Sequence, residues 1–570
     1  MRLKALPSSA KHALILSLIP LCILLLYVIN PVWRIYSDHG FLHQSIVYRL
    51  MNGEFPPSSP LLAGEPLLYL WGHHYLVAGI AKMTDLPLSW IFAFLNLIAL
   101  SAALVFSYRL ASQFRGRSLD GFFAALLAVV SCNVLTRGPH IELLSAGLVF
   151  ADFPYRLWQY TALVIAKFYN LNSNGLGIAA VLGWLLFSSV YLQGRSRRYL
   201  GLFPVAAAAL AIGFLYPVYM LNVAATAGIL VFLSVIGVVK AKPSTTLLLA
   251  VSTAVGLTVT VPYVLTVSAA RATAAITFSD LNWFLQKVVI LALAILIPAA
   301  LIIFNRALYG RLTREQPAMW SFLAIFACVS AILWPVLSQS DTEYKHLLIF
   351  TVAFGLAAAP GMTNLYLSSK RWAVLLLALL MVPFVSDWLH LMDARRWPAF
   401  QPVIERGSTL HAADPDQDRL YTWVRMNTED DDVFIDNQLL MPVLGQRSLF
   451  IGLDQQTLAR KAATAQSLKE FSDGWEWRPQ DLLLQQGYDP RIVSFREKIS
   501  SDIFAKNRIS ESTAINGRAN TYLVARSPPL RSALRSSSIE KRVYFSVAAD
   551  IYILQARSDQ KSRSLGINKR

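Results

Sequence analysis

A cluster of polar side chains, SDHGFLHQ from Ser37 to Gln44, follows the first long apolar run of the chain by a few residues. Charged and imidazole groups gathered where a helix leaves a bilayer could act on a molecule held at the membrane surface, so Asp38 is the first candidate for chemistry. His39 and His43 would share one helix face, a spacing at which imidazoles can bind a divalent transition metal. Two alternatives stay open, because Asp38 before a helix is also a good N-cap and the histidines can be amphipathic interface residues.

The composition is that of a polytopic membrane protein. Of 570 residues, 55% are hydrophobic and 15% are charged, whereas soluble domains carry about 25% charged residues. A helix needs about 20 mostly apolar residues to cross a bilayer. Eleven runs meet this requirement, near 12–32, 88–108, 119–136, 175–193, 199–217, 219–239, 244–268, 287–304, 317–337, 346–367 and 371–391. A twelfth stretch, 66–84, is apolar but carries His73, His74 and Lys82.

The distribution of charge predicts the topology. With a cytoplasmic N-terminus and 66–84 outside the bilayer, the inner segments collect 16 basic residues against two acids, and the outer loops hold nine of each. This obeys the positive-inside rule, whereas counting 66–84 as a span would put the arginine-rich loops outside. We therefore expect about 11 transmembrane helices and a surface helix within 66–84. The net charge of +17 follows largely from this topology and requires no nucleic-acid partner.

An odd number of spans places the tail, 393–570, on the same outer side as the large first loop, 33–87. The tail changes to alternating short elements: a helix over Arg419–Met426 and extended runs beginning at Val433, Ser448, Thr521, Val543 and Ile551. The sequence thus predicts a polytopic α-helical membrane domain, 1–392, whose first outer loop holds the candidate site, and a small extracytoplasmic α/β domain, 393–570, with a disordered end.

Further polar residues fall on the predicted outer side. Glu65, His73 and His74 in the first loop could complete a metal or substrate site. Asp152 lies in the second outer loop, and Lys345 lies in the run QSDTEYKH of the fifth. Asp152 could instead be an ordinary loop charge beside Arg156. Lys345 could instead form a surface ion pair with Glu343.

The arrangement resembles the GT-C glycosyltransferase superfamily, which includes oligosaccharyltransferase catalytic subunits, protein O-mannosyltransferases and lipid A aminoarabinose transferases. The resemblance covers the whole architecture and is strongest in SDHGFLHQSIVYRLMNGEFPPSSPLLAGEPLLYLWGHH, from Ser37. The run RLYTWVRMNTEDDDVFIDN, from Arg419, is similar to the tails of uncharacterised bacterial members. Family members often show Asp-Glu or Asp-Asp where this chain has Asp38 followed by His39.

The resemblance implies transfer of a sugar, with inversion, from a polyprenyl-phosphate donor to a glycan, lipid or protein acceptor. Asp38 matches the family's first-loop catalytic acidic residue and is the candidate general base, and Asp152 could match the second acidic residue. Lys345, Arg271 and Arg137 are the candidates for binding the leaving phosphate, with or without a divalent metal ion at His39 and His43. The expected location is the bacterial plasma (inner) membrane, among membrane lipids, with the C-terminal domain in the periplasm.

Two other functions are compatible with the sequence. A polysaccharide or lipid transporter or flippase would place ionisable residues at mid-membrane, but the predicted spans hold almost none, and Asp387 lies near an outer end. A non-catalytic subunit of a cell-envelope assembly complex could have kept the same fold. No glycine-rich phosphate loop occurs, which argues against a nucleotide-sugar or ATP site.

Overall fold

A computed structural model describes most of the chain. The described residues are 7–36, 40–130, 164–194, 201–270, 277–278, 281–338, 344–392, 403–436, 440–451, 483, 488–506, 520–535 and 541–555. They form two compact units. The first consists of Met1–Pro31, Ala93–Thr266 and Ala275–Asp393, and the second of Val32–Phe92, Val267–Ala274 and Ala394–Arg570.

Helices make up most of the described chain. They are α1 (Ser8–Ile29), α2 (Pro31–Tyr36), α3 (Gly40–Met51), α4 (Gly72–Thr84), α5 (Leu88–Arg115), α6 (Ser118–Ala125), α7 (Asn174–Leu192), α8 (Leu202–Leu215), α9 (Met220–Val235), α10 (Pro243–Thr258), α11 (Val261–Ala270), α12 (Leu281–Phe304), α13 (Arg306–Glu315), α14 (Pro317–Val336), α15 (Tyr344–Ser368), α16 (Lys370–Met392), α17 (Pro415–Asn427), α18 (Pro490–Lys506) and α19 (Pro528–Arg535).

Each of the eleven predicted apolar runs overlaps one of these helices. Among the described residues, six helices are long and apolar enough to cross a membrane, and up to eight if each of two bent pairs counts as one span. The bent pairs join α10 to α11 at 50° and the end of α12 to α13 at 82°. Helix α4, inside the stretch 66–84, has 13 residues and is not among the candidate spans. The protein is therefore a multi-pass helical membrane protein.

Small residues let the helices of the first unit pack closely. A Cβ atom added to Gly355 on α15 would lie 2.6 Å from the carbonyl oxygen of Leu127. Glycine is needed at this position because any side chain would collide with the neighbouring backbone. Buried polar pairs add direction to the packing, as where the indole of Trp184 donates to the hydroxyl of Thr253 across 3.0 Å.

The strands form three separate sheets. They are β1 (Thr277–Phe278), β2 (Leu337–Ser338), β3 (Val403–Arg406), β4 (Thr409–Ala412), β5 (Val433–Ile435), β6 (Ser448–Leu449), β7 (Thr521–Ala525), β8 (Lys541–Phe545) and β9 (Asp550–Gln555). Strands β1 and β2 form one antiparallel pair, and β3 and β4 another.

The five-stranded sheet lies in the second unit and has the order β6–β5–β7–β9–β8. Strand β5 pairs in parallel with β6 and β7, whereas β9 pairs antiparallel with β7 and β8. All five residues of β7 are buried, as expected for an apolar run at the centre of a sheet. The extended runs predicted in the tail thus form a small sheet. The helix predicted over Arg419–Met426 lies within α17.

Candidate functional site

Three histidines of the second unit come together in its interior. His43 lies on α3, and His73 and His74 begin α4. The Nδ1 atom of His43 is 2.8 Å from Nε2 of His74, and the two rings stack with their centroids 5.1 Å apart. His73 faces the ring of Phe92 edge-on, at 5.2 Å. All three imidazoles are at most 1% exposed, so they belong to a buried cluster and not to a solvated helix face.

Burial controls the protonation of this cluster. Loss of hydration and, to a smaller extent, the neighbouring His43 together lower the pKa of His73 to about 3. The pKa of His74 is also lowered, mainly by burial and then by His43 and His73. His73 and His74 are therefore neutral near pH 7. In the hydrogen bond between His43 and His74, one imidazole donates and the other accepts.

The histidine cluster differs from the metal site predicted at His39 and His43. His43 forms its ring hydrogen bond with His74, and His39 lies outside the described residues. Within the described ranges, no group of three or more His, Cys, Asp or Glu side chains is arranged to hold a metal ion. The described residues alone therefore do not fit a metal ion.

Arg34 provides a buried positive charge in the same unit. Its Nη2 atom lies 3.0 Å from the Glu405 carboxylate, and its guanidinium carbon lies 4.0 Å from the ring centroid of Trp90. Glu405 also accepts a hydrogen bond from Ser89. Burial lowers the pKa of Arg34, and Glu405 opposes this shift by favouring the charged form. Sequence reasoning missed this ion pair because nothing in the pattern of either segment links residues so far apart.

Glu65, predicted to bind substrate or metal, forms an ion pair. Its Oε1 atom is 3.5 Å from Nη2 of Arg496 on α18. Arg496 also donates from Nη1 to the carbonyl oxygens of Ala63 and Phe450, at 2.7 and 3.0 Å. These contacts connect the loop that carries Glu65 to α18, and the predicted binding role of Glu65 stays a prediction.

Two lysines of the first unit converge on one phenol. Lys167 donates from Nζ to the hydroxyl of Tyr344 at 3.2 Å, and Lys345 donates to the same hydroxyl. Because both ammonium groups bond one oxygen, they lie within ~6.5 Å of each other. Lys167 and Lys345 are only 6% and 8% exposed. Lys345 was predicted as a phosphate ligand, whereas Lys167 was not. The position of Lys167 in a polar loop beside an apolar span was the sequence signal that could have identified it.

A second buried polar group of this unit lies within the helices. Lys287 on α12 is fully buried and donates to the carbonyl oxygen of Leu337 at 2.5 Å. His346 bonds Asn222 at 2.8 Å, and Asn222 donates to Ser330 at 2.8 Å. The sequence placed Lys287 at the end of a span, but α12 begins at Leu281, so Lys287 lies well inside the helix.

Five predicted site residues lie outside the described residues: Asp38, His39, Arg137, Asp152 and Arg271. The described ones fall into two groups, with His43, Glu65, His73 and His74 in the second unit and Lys345 in the first. The lysine pair can hold a phosphate by charge-assisted hydrogen bonds, and neutral imidazoles can exchange a proton.

No family model and no curated protein sequence matches the chain.

Comparison with solved structures finds similar chains, among them the following three. ArnT from Cupriavidus metallidurans, bound to undecaprenyl phosphate, has a TM-score of 0.51 at 11% identity, covering 96% of this chain and 99% of that chain. An oligosaccharyltransferase of Archaeoglobus fulgidus, tethered with an acceptor peptide containing the NVT sequon, has a TM-score of 0.47 at 11% identity, with coverage of 96% and 74%. The oligosaccharyltransferase AglB of that organism, in complex with an inhibitory peptide and a dolichol-phosphate, has a TM-score of 0.44 at 13% identity, with coverage of 77% and 64%.

The likeness to ArnT concerns the fold. The two chains share a fold over 96% of this chain, so the architecture that the predicted resemblance implied is confirmed at the level of the fold alone. A shared fold at 11% identity does not fix an activity, which has to be argued from the residues of the site.

Proposed function

We propose that this protein is a glycosyltransferase that moves a sugar from a polyprenyl-phosphate donor to an acceptor at the outer face of the membrane. The observation that carries the proposal is the pair of buried lysines, Lys167 and Lys345, that share the hydroxyl of Tyr344. A concentrated positive charge with a hydroxyl donor at its centre suits a phosphate, which attracts point charges and hydrogen bonds together.

The reaction needs a general base for the acceptor and cations for the leaving phosphate. A nucleophilic atom of the acceptor forms a bond to the anomeric carbon, while the bond from that carbon to the phosphate oxygen breaks. The electron pair of the broken bond stays on the phosphate, where Lys167 and Lys345 stabilise the new charge. Asp38 takes the proton of the acceptor as general base. Attack opposite the leaving phosphate inverts the anomeric centre.

The fold supports the choice of donor. The solved ArnT chain carries undecaprenyl phosphate, and a lipid-linked phosphate sugar is the corresponding donor class for this protein. The acceptor, whether a glycan, a lipid or a protein, would reach the site from the outer side, where the charge distribution places the first loop and the tail. The bacterial inner membrane, with the C-terminal segment in the periplasm, is the proposed location.

A transporter or flippase is the second candidate, and Lys287 favours it. Lys287 is fully buried within a helix of the first unit, and buried charges within membrane helices are a feature of substrate and ion pathways. Its ammonium group, however, donates to the Leu337 carbonyl oxygen and lies 5.0 Å from the centroid of the Trp334 ring. These contacts give Lys287 a structural role that requires no transport.

Purified full-length protein tests the two functions together. It is incubated with a panel of radiolabelled polyprenyl-phosphate sugars and scored for binding, hydrolysis and transfer, and parallel proteoliposomes are scored for movement of the same carriers across the bilayer. Release of the sugar with inverted configuration, from a subset of carriers, is expected of a transferase. Movement of carriers without cleavage of the sugar–phosphate bond would instead identify a flippase.

A further inference from the structure

The β3–β4 hairpin of the second unit is held by side chains from residues 34–89. The tight turn between the strands is Gly407–Ser408, and Gly407 has a positive φ of 56°. The positive φ favours glycine, and a Cβ atom at Gly407 would lie 2.9 Å from Oδ1 of Asp85, so a side chain there would displace this carboxylate. Asp85 accepts a hydrogen bond from the backbone N–H of Ser408 at 3.2 Å.

Two further attachments lie along the strands. The Tyr48 hydroxyl donates to the carbonyl oxygen of Ser408 at 3.3 Å and accepts from the N–H of Leu410 at 3.2 Å. On strand β3, Glu405 binds Arg34 through one carboxylate oxygen and Ser89 through the other. The hairpin is therefore fixed by four side chains that the sequence places more than 300 residues earlier.

Arg34 depends on Glu405 more than on its other contacts. It is 6% exposed, and its Nε and Nη1 atoms have no hydrogen-bond partner among the described residues. A buried guanidinium that loses its carboxylate is left as an uncompensated charge, which strongly disfavours its position. Removing the Glu405 charge should therefore release Arg34 and the helix that carries it.

The helix that carries Arg34 is α2, Pro31–Tyr36, which directly precedes the segment containing Asp38 in the chain. A second contact connects α2 to α3, the helix that follows the segment containing Asp38. Gln44 on α3 donates from Nε2 to the carbonyl oxygen of Ile35 on α2 at 2.9 Å. Both flanking helices are thus connected to each other, and α2 is also connected to the hairpin.

We propose that Glu405 is a positioning residue, which holds α2 through Arg34 and thereby makes sugar transfer depend on the C-terminal segment. The inference rests on the proposed function, because its effect on turnover requires that the first loop carry the base. Small displacements of a reacting group, even those caused by a distant substitution, can lower a rate by ~10²-fold. Glu405→Gln should lower kcat by about this factor and leave KM for the carrier nearly unchanged.

Two control variants separate positioning from general stability. Asp489→Asn removes the carboxylate of an exposed ion pair with Arg491 and should change nothing. Asp436→Asn breaks a buried ion pair with Arg526, 2.8 Å long, which shares no residue with the Arg34–Glu405 pair. This variant should lower the thermal midpoint without lowering kcat of the folded fraction. Glu405→Asp, which keeps the charge on a shorter side chain, should fall between wild type and Glu405→Gln.

Hydrogen–deuterium exchange supplies a readout that needs no activity. Peptides covering α2 should exchange faster in full-length Glu405→Gln protein than in wild type or Asp489→Asn, because local opening becomes easier. Partial recovery of protection and of kcat in the exchanged pair, Arg34→Glu with Glu405→Arg, would support direct coupling. Wild-type kcat and exchange in Glu405→Gln would overturn the inference. If no carrier sugar is transferred by the wild type, the proposed function fails, and the exchange of α2 alone decides whether Glu405 holds this helix.

Discussion

His43 and His74, on two different helices of the second unit, share a 2.8 Å hydrogen bond between ring nitrogens in a fully buried environment. In this bond one ring nitrogen donates and the other accepts, which links the positions of the ring protons in the two imidazoles. A metal ion at His43 would have to use its other nitrogen or break this pair. The hypothesis that His43 binds a metal and the alternative that it is a structural residue therefore predict different effects of chelation on activity.

The hypothesis of a divalent ion at His39 and His43 predicts sensitivity to chelation. Exhaustive dialysis against a chelator should lower transfer, because it removes the ion from its histidine ligands. Adding back one divalent metal should restore transfer. Metal content is measured on the same samples by mass spectrometry. Activity that survives with no bound metal would leave both histidines as structural residues.

Burial of His73 predicts that acid destabilises the second unit. The pKa of this histidine is about 3 in the folded state and about 6.5 when exposed, so the unfolded state binds the proton first as the pH falls below about 6.5. Stability should be constant above that pH and fall by ~1.4 kcal/mol per pH unit below it, for this one group. Thermal midpoints between pH 8 and pH 4.5 measure the slope. His73→Leu should flatten it, and an unchanged slope would contradict the assignment.

Asp38→Asn distinguishes the catalytic base from a helix cap. Asparagine has nearly the same shape and caps helices about as well, but it cannot act as a useful base. As a base, Asp38 contributes about 10²- to 10⁴-fold in rate, so the variant should fold and bind carrier but turn over at less than about 1% of the wild-type rate. Transfer close to normal would move the base elsewhere, with Asp152 the next residue to test.

Neutral substitutions of the two lysines should weaken carrier binding. Each of Lys167→Gln and Lys345→Gln removes a charge-assisted hydrogen bond, worth about 1.5–3 kcal/mol, so each should weaken binding by about 10- to 100-fold. Affinity is measured with a fluorescent polyprenyl phosphate. Lys370 offers a matched control, because it is exposed and its Nζ atom lies 5.8 Å from the centroid of the Tyr366 ring. Equal losses in Lys370→Gln would show that the effect is a general one of charge.

The topology can be tested with cysteine labelling. A cysteine at Ser58 or Ser472 should react with an impermeant thiol reagent added outside intact cells, whereas one at Ser196 should not, because the positive-inside rule places the last in a cytoplasmic loop. Labelling is compared with that of permeabilised cells. Reaction at Ser196 in intact cells would reverse the topology and remove the argument that the first loop and the tail share the outer side.

Local patterns in the sequence determined most of the secondary structure. Apolar runs of membrane length predicted the helices, because a helix in lipid must present apolar side chains all round. In the tail, short apolar runs beginning at Val433, Thr521 and Ile551 coincide with strands β5, β7 and β9. The helix over 72–84 was also anticipated within a stretch whose histidines set it apart from the spans.

Only the tertiary structure decided the partners of the polar side chains. Arg34 pairs with Glu405, Lys167 with the hydroxyl of Tyr344, and His43 with His74, where the sequence had suggested His39. Helical and strand periods report which side of an element is apolar, but they hold no information about which distant element will cover it. Burial then selects the pairs, because a polar group removed from water must find a partner wherever the fold brings one. The sequence thus determined which elements form, and packing determined which of their polar groups meet.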